Sequence, residues 1–439
     1  MKRLILLACL GVTVSVHAQT RTPITLSLRQ AIDTGLKNRY DVQADQYNIR
    51  MAENDISKSK KAWIPDVHAE GNIQYNTQIQ PTYVPKGFIG LTEPEMLAFG
   101  AKNATVFGLT LDQPVFKPGI RTDVKIAKAS LALQKEEVHG NDIDIKNAIA
   151  TAYLDVLLKD LQYRITLDDE HRFKAYEELA AGKYKDGALI ENDYLRAKLD
   201  YDNARVKAAT VRQNDELSRA YLKYKINIPP SGKIILSDSI ENITFRGAAE
   251  LPDHAIANRT EIKQLKLQQR KNTLQIDRAR QNALPSVSLF GYYAQMFQNE
   301  TFHYNDSKWW APHSYVGLKF TIPITGNFTN KNNIREFELK GRQMRMNMRQ
   351  EVADVSYQIE QATTDLQNAL QNMQSTKTNY ALSKKIYKNQ QQQFALGVFR
   401  YSDLLDTEKS LSNAEQNYIK AVYDYLIAQL QYEKAVGEL

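Results

Sequence analysis

Along much of this chain, apolar residues recur at alternating steps of three and four. Val352, Val355, Ile359, Ala362, Leu366, Ala369 and Met373 mark one such seam. Leu411, Ala414, Tyr418, Ala421, Tyr425, Ala428, Tyr432 and Ala435 mark another. This spacing keeps one stripe of a helix turned towards a partner, and over several heptads it predicts coiled-coil packing rather than a compact bundle. Alanine and tyrosine stand on the seam where leucine is usual, so neighbouring helices are expected to approach closely. Proline is absent between Pro118 and Pro229 and again after Pro323, so nothing in these stretches breaks a helix. The run from Phe328 to Phe394 predicts roughly 100 Å of helix at about 1.5 Å per residue. A periplasmic coiled-coil scaffold without a pore accounts for the helices taken alone.

Four other segments alternate with a period of two and predict strands at 67–77, 105–115, 286–296 and 315–323. In the first, Val67, Ala69, Gly71, Ile73 and Tyr75 interleave with His68, Glu70, Asn72, Gln74 and Asn76. Strands of about 9–11 residues with one apolar and one polar face are what membrane barrels with wet interiors use. Four strands do not close a barrel, because even the smallest need about eight, so the strands must be pooled between subunits. Loops 80–104 and 299–312 join the paired strands and are expected to face outward. Trp309 and Trp310 belong to the second loop, either near a membrane rim or in a small core of the loop itself.

The pattern is written twice. Asn38-Arg39-Tyr40-Asp41-Val42 pairs with Asn258-Arg259-Thr260-Glu261-Ile262, and Trp63-Ile64-Pro65 pairs with Ala283-Leu284-Pro285. Gly108, Leu109 and Pro114 match Gly317, Leu318 and Pro323, while Tyr184, Gly187, Asp193 and Leu195 match Phe394, Gly397, Asp403 and Leu405. A duplication of this kind sets the domain plan. Residues 19–227 form a first repeat of helix, two strands and a long helical hairpin turning near Gly187. Residues 228–252 form a linking, equatorial segment with a short-strand look. Residues 253–439 form the second repeat, turning near Gly397. The predicted class is mainly α with a membrane β-barrel.

Composition narrows the function. Lys2 and Arg3, the apolar run Leu4 to Val16 and the site Val16-His17-Ala18 predict a signal peptide over 1–18. Cys9, the only cysteine, falls inside it, or marks a lipoprotein if cleavage precedes it. With cleavage at Ala18 the mature chain has no thiol for disulfides, catalysis or metal. The formal charge of +7 drops to +5 once Lys2 and Arg3 are removed. That is mild for 439 residues, and an exported chain has no access to nucleic acid. No later stretch approaches 18 apolar residues, so a membrane role would fall to strands. The histidines show no metal-type spacing, and phosphate-cradling, nucleophile-elbow and zinc-protease motifs are absent, so no enzyme, cofactor or metal is expected.

With these landmarks in order, the chain resembles the TolC-type outer-membrane efflux family over essentially its whole mature length. The resemblance rests on Leu26-Ser27-Leu28 with Ala31-Ile32, on Pro65, Pro285, Pro114 and Pro323, and on Gly187 with Asp193. Gly397 with Asp403 and Asp406, and the closing run Asn417 to Leu439, extend it. It implies a homotrimer with a twelve-stranded barrel in outer-membrane lipid and a periplasmic helical tunnel. It also implies a periplasmic adaptor and an inner-membrane pump of RND, ABC or MFS type. A duct dedicated to type I protein secretion or to metal-ion efflux remains an alternative. Gly187 and Gly397 are expected at the helix reversals. Asp403 and Asp406, one turn apart, match positions that in the family form acidic rings at the entrance. Each also reads as an ordinary carboxylate near a helix start. The family's tip arginine would fall at Phe399, with Arg400 one residue late. Arg400, Asp193, Asn192 and Phe394 are the remaining candidates for gating contacts.

Overall fold

The computed structural model describes residues 24–239, 254–396, 398 and 400–439, with the backbone alone for Asn327, Thr329, Ala395 and Tyr401. The expected signal peptide at 1–18, most of the linking segment and Gly397 lie outside the described residues. Two compact units divide the chain.

The first unit comprises residues up to Gln43, Asn141–Ala255 and Ser356–Leu439. Strand β1 (Ile24–Leu26) precedes helix α1 (Leu28–Asn38), and α2 (Tyr40–Lys61) begins beyond Arg39. Ser27 caps α1, accepting from the Gln30 amide while the Gln30 side chain accepts from the Ser27 amide. Helices α3 (Gly119–Lys185) and α4 (Glu191–Lys225) make the first hairpin; α7 (Gly326–Ala395) and α8 (Tyr401–Val436) make the second. Strand β6 (Ile234–Leu236) pairs in parallel with β1, and the Tyr153 hydroxyl bonds both the Leu26 carbonyl and Asp238 beside this small sheet. The heptad seams are largely buried: Ile359, Leu366 and Met373 on α7, and Leu411, Ala421, Tyr425, Tyr432 and Ala435 on α8. Helix α8 buries more than its seam, with Ile419, Val422, Leu426 and Leu430 also enclosed. It therefore packs on two sides.

The second unit, Ala44–Gly140 and Ile256–Val355, is built on a four-stranded antiparallel sheet. Its strands are β2 (Asp66–Tyr75), β5 (Asn103–Phe116), β7 (Ser286–Asn299) and β8 (Trp310–Thr321), in the order β2-β5-β7-β8. Between β2 and β5 the loop forms its own hairpin, β3 (Pro81–Val84) with β4 (Glu95–Ala98). Short helix α5 (Ala255–Asn258) leads into α6 (Thr260–Gln281), whose Asn272 amide donates to the Phe337 carbonyl of α7 at 2.9 Å. Arg278 bonds Asp123 of α3 at 2.6 Å.

Strand register puts Val67, Leu111, Gly291 and Val316 in one row, then Ala69, Leu109, Tyr293 and Ser314 in the next. The opposite face carries His68, Thr110, Tyr292 and Tyr315, then Glu70, Gly108, Ala294 and His313. The alternation read from sequence therefore sorts into one mostly apolar and one more polar face. The apolar residues stay exposed, Val67 at 61% and Val316 at 75%. At Gly71 an added Cβ would lie 2.7 Å from the Phe107 ring, so the cross-strand aromatic occupies the space a side chain would need.

The last strand departs furthest from its expected bounds. The last strand starts at Trp310 rather than near 315 and includes Pro312. Pro312 lies at the loop end of this strand, where the loss of one N–H costs the ladder little. Strand β5 runs through Pro114 despite its interior place, because a bulge between Pro114 and Phe116 shifts the register there. Trp310 packs against Phe297, ring centroids 5.4 Å apart, and its indole N–H donates to the Tyr304 carbonyl. This small aromatic core belongs to the loop end, whereas Trp309 is exposed.

Candidate functional site

The turns of the two hairpins share one backbone bond. At the end of α3, the Gly187 amide donates to the Tyr184 carbonyl at 3.0 Å and the Ala188 amide to Lys183 at 2.8 Å. Gly187 takes φ +71° between them, a left-handed conformation open to glycine at little cost. At the end of α7 the corresponding outer bond runs from Val398 to Gln393 at 3.0 Å.

The returning helices start with carboxylates. Glu191 and Asp193 occupy the first turn of α4, and Asp403 that of α8, where the unpaired amides of a helix start favour negative charge. Asp403 accepts from the Ser402 hydroxyl at 3.2 Å. Asp403 and Asp406 are both exposed on α8, as is Asn192 on α4. Asp193 is half-buried. It lines a cavity of about 580 Å³ together with Arg196, Phe394 and Arg400. The Lys183 ammonium reaches over the Phe394 ring at 4.9 Å. Arg400 and Asp193 thus border one cavity within a single chain, yet no ion pair joins them among the described residues.

Behind the tips lies a buried polar cluster that the sequence reading did not single out. The Arg172 guanidinium of α3 donates to Glu408 of α8 at 2.7 Å and also pairs with Asp169 on its own helix. The Glu408 side chain is 1% exposed. Ser412 donates to Asp169 at 3.3 Å, and the hydroxyls of Tyr176 and Tyr387 are hydrogen-bonded across the two hairpins. Burial pushes the Asp169 carboxyl up despite the cation beside it, and it holds the Tyr387 hydroxyl protonated. Around this cluster Ala180, Ala197, Leu404, Leu405 and Leu411 form an apolar core. The heptad pattern did not point to it: extended back from Leu411, the α8 seam reaches Thr407 and Leu404, and Glu408 stands one residue off that line.

The architecture matches proteins of one kind. The family model for outer membrane efflux proteins matches residues 31–223 and 251–438. The chain belongs to the outer membrane efflux protein family. Among relatives of this efflux protein, nodulation protein T of Rhizobium leguminosarum bv. trifolii is 20% identical over 417 residues, covering 93% of this chain and 85% of that protein. In fold it is similar to CusC, with a TM-score of 0.73 at 15% identity over 93% of this chain and 92% of that one. The outer membrane protein VceC of Vibrio cholerae gives 0.70 at 14% identity, covering 93% and 96%. The open-state MtrE outer membrane channel of Neisseria gonorrhoeae gives 0.71 at 16% identity, covering 93% and 88%. The efflux protein is accordingly a subunit of an outer-membrane exit duct, with the mainly α plan and barrel strands of that family. A scaffold lacking a pore no longer fits.

Proposed function

We propose that three copies of this chain close one duct, standing in the outer membrane of a Gram-negative cell with a long periplasmic extension. The observation that supports this is the sheet itself. It has four strands, apolar residues exposed on one face, and two edges, β2 and β8, without partners among the described residues. Edge strands of this length invite pairing, and joining β8 of one copy to β2 of the next removes every edge and makes twelve strands. Among the described residues no helix is long and apolar enough to cross a membrane, so the strands are the segments suited to lipid.

In this reading the helical hairpins enclose the periplasmic part of the passage, and their tips face a periplasmic adaptor and an inner-membrane pump. The chain carries no nucleotide-binding or catalytic motif, so the energy for export comes from that pump. Asp403 and Asp406 from three copies would stack acidic rings at the entrance and favour cations there. Asp193, Arg400 and Phe394, around the cavity at the tips, would resist separation of the hairpins, with Asn192 exposed next to Asp193 on α4. Light scattering of the purified protein in detergent tests the assembly, with a trimer expected. A stable monomer or dimer that keeps its strand content would overturn it.

A further inference from the structure

The cluster behind the tips has a charge balance that helix packing alone does not require. Asp169, Glu408 and Glu415 surround one guanidinium, that of Arg172, leaving two negative charges in excess when all are ionised. Glu408 accepts from Arg172 through Oε1, and the hydroxyls of Tyr387 on α7 and Tyr176 on α3 face it in the same buried space. Glu415 accepts from the Tyr380 hydroxyl of α7 at 2.8 Å. The cations facing these carboxylates from other elements are Lys207 of α4 and Lys384 of α7, and both are exposed. Asp168 adds a further negative charge beside Asp169. From α4, Asp200 borders the same cavity of about 380 Å³ as Asp169 and Glu408, attracted in turn by Lys409 and Arg196. A proton is the smallest group able to neutralise such a site.

We propose that Asp169, Arg172, Glu408 and Glu415 form a clamp between the two hairpins of each chain, tightened by uptake of a proton. Arg172 and Glu408 are then positioning residues. They touch no substrate, and they set how far α8 stands from α3. The inference rests on the reading of the tips as the duct's gate.

Its direction follows from burial. Asp169 and Glu415 are pushed up in the packed state, chiefly by loss of water. Separating the hairpins rehydrates them and returns them towards the ordinary carboxylate range. The packed state is therefore favoured by acid, and this support is lost as pH rises through the raised values. Acidification of the periplasm closes the duct, and a return towards neutrality loosens it.

Planar-bilayer recording of the purified protein tests this through the fraction of time spent open. From about pH 5 to about pH 8 the parent's open fraction should rise at least about threefold. Asp169→Asn with Glu415→Gln should hold it near its acid value throughout. Glu408→Gln, which takes the charge from the partner of Arg172, should raise it at the acid end of this range. An unaltered pH profile in the doubly neutral variant overturns the clamp. So does loss of the pH response in Asp403→Asn with Asp406→Asn, since the entrance rings would then be the sensor. The distance between spin labels at Lys174→Cys and Lys420→Cys gives a readout independent of current. It should lengthen from acid to neutral pH in the parent and not in the doubly neutral variant. If the parent itself carries no current, the duct reading fails, and this distance alone decides the clamp: a separation constant with pH overturns it.

Discussion

The two helical hairpins are copies in plan and differ where they turn. In the first, Tyr184 stacks on Tyr194 at 5.5 Å with rings almost parallel, so α3 and α4 are pinned to each other at the tip. In the second, the matching positions are Phe394 and Leu404. Phe394 lies under Lys183 of the other hairpin, and Leu404 is fully buried in the core the hairpins share. The first tip thus adds a ring contact of its own to the shared core, while the second has no matching ring pair and meets its neighbour through Phe394 and Leu404. The two arms are alike in plan, and their turns carry different contacts.

The largest effect that would test this contrast is on the charge cluster. Arg172→Ala leaves Glu408 buried without its cation and should cost about 3–5 kcal/mol. Denaturant unfolding of the helical part is the measurement, and a change under about 1 kcal/mol would mean that water replaces the guanidinium.

Core truncation comes next. Leu404→Ala should cost about 2–5 kcal/mol, and Tyr194→Ala less, because the tyrosine is only half-buried. Equal losses would erase the distinction between the arms. At the turns themselves, Gly187→Ala forces a side chain into the left-handed region and should cost about 1 kcal/mol. Ala188→Gly beside it is the comparison, with a smaller loss expected in the same melting experiment.

The smallest changes concern current rather than stability. Asp403→Ala with Asp406→Ala should lower cation preference and relieve block by multivalent cations, whereas Asp193→Ala should leave both near the parent's values. Unchanged selectivity in the first pair would reduce those residues to carboxylates that merely complement a helix start. Arg400→Ser with Asp193→Ala should raise conductance slightly if the tip cavity resists opening. An effect as large as that of Glu408→Gln would shift the gate's main contact from the buried cluster to the tip.

The sequence by itself determined the elements. Period-two stretches became the sheet, heptads became the long helices, and Gly187 marked a reversal, because each depends on residues a few positions apart. Side-chain alternation also foretold a sheet with one apolar face, and four strands implied borrowed neighbours. The tertiary structure alone decided what depends on distant partners. Pro312 looked like the end of a loop until the structure placed it inside β8. Glu408 is buried although it stands off the heptad line, and its reason is Arg172, carried on the other hairpin of the same chain. Arg400 and Asp193, plausible partners by chemistry, share a cavity without pairing. Periodicity says which face of a helix is covered. Only packing says by what, since a charge is tolerated in a core just where a particular neighbour compensates it.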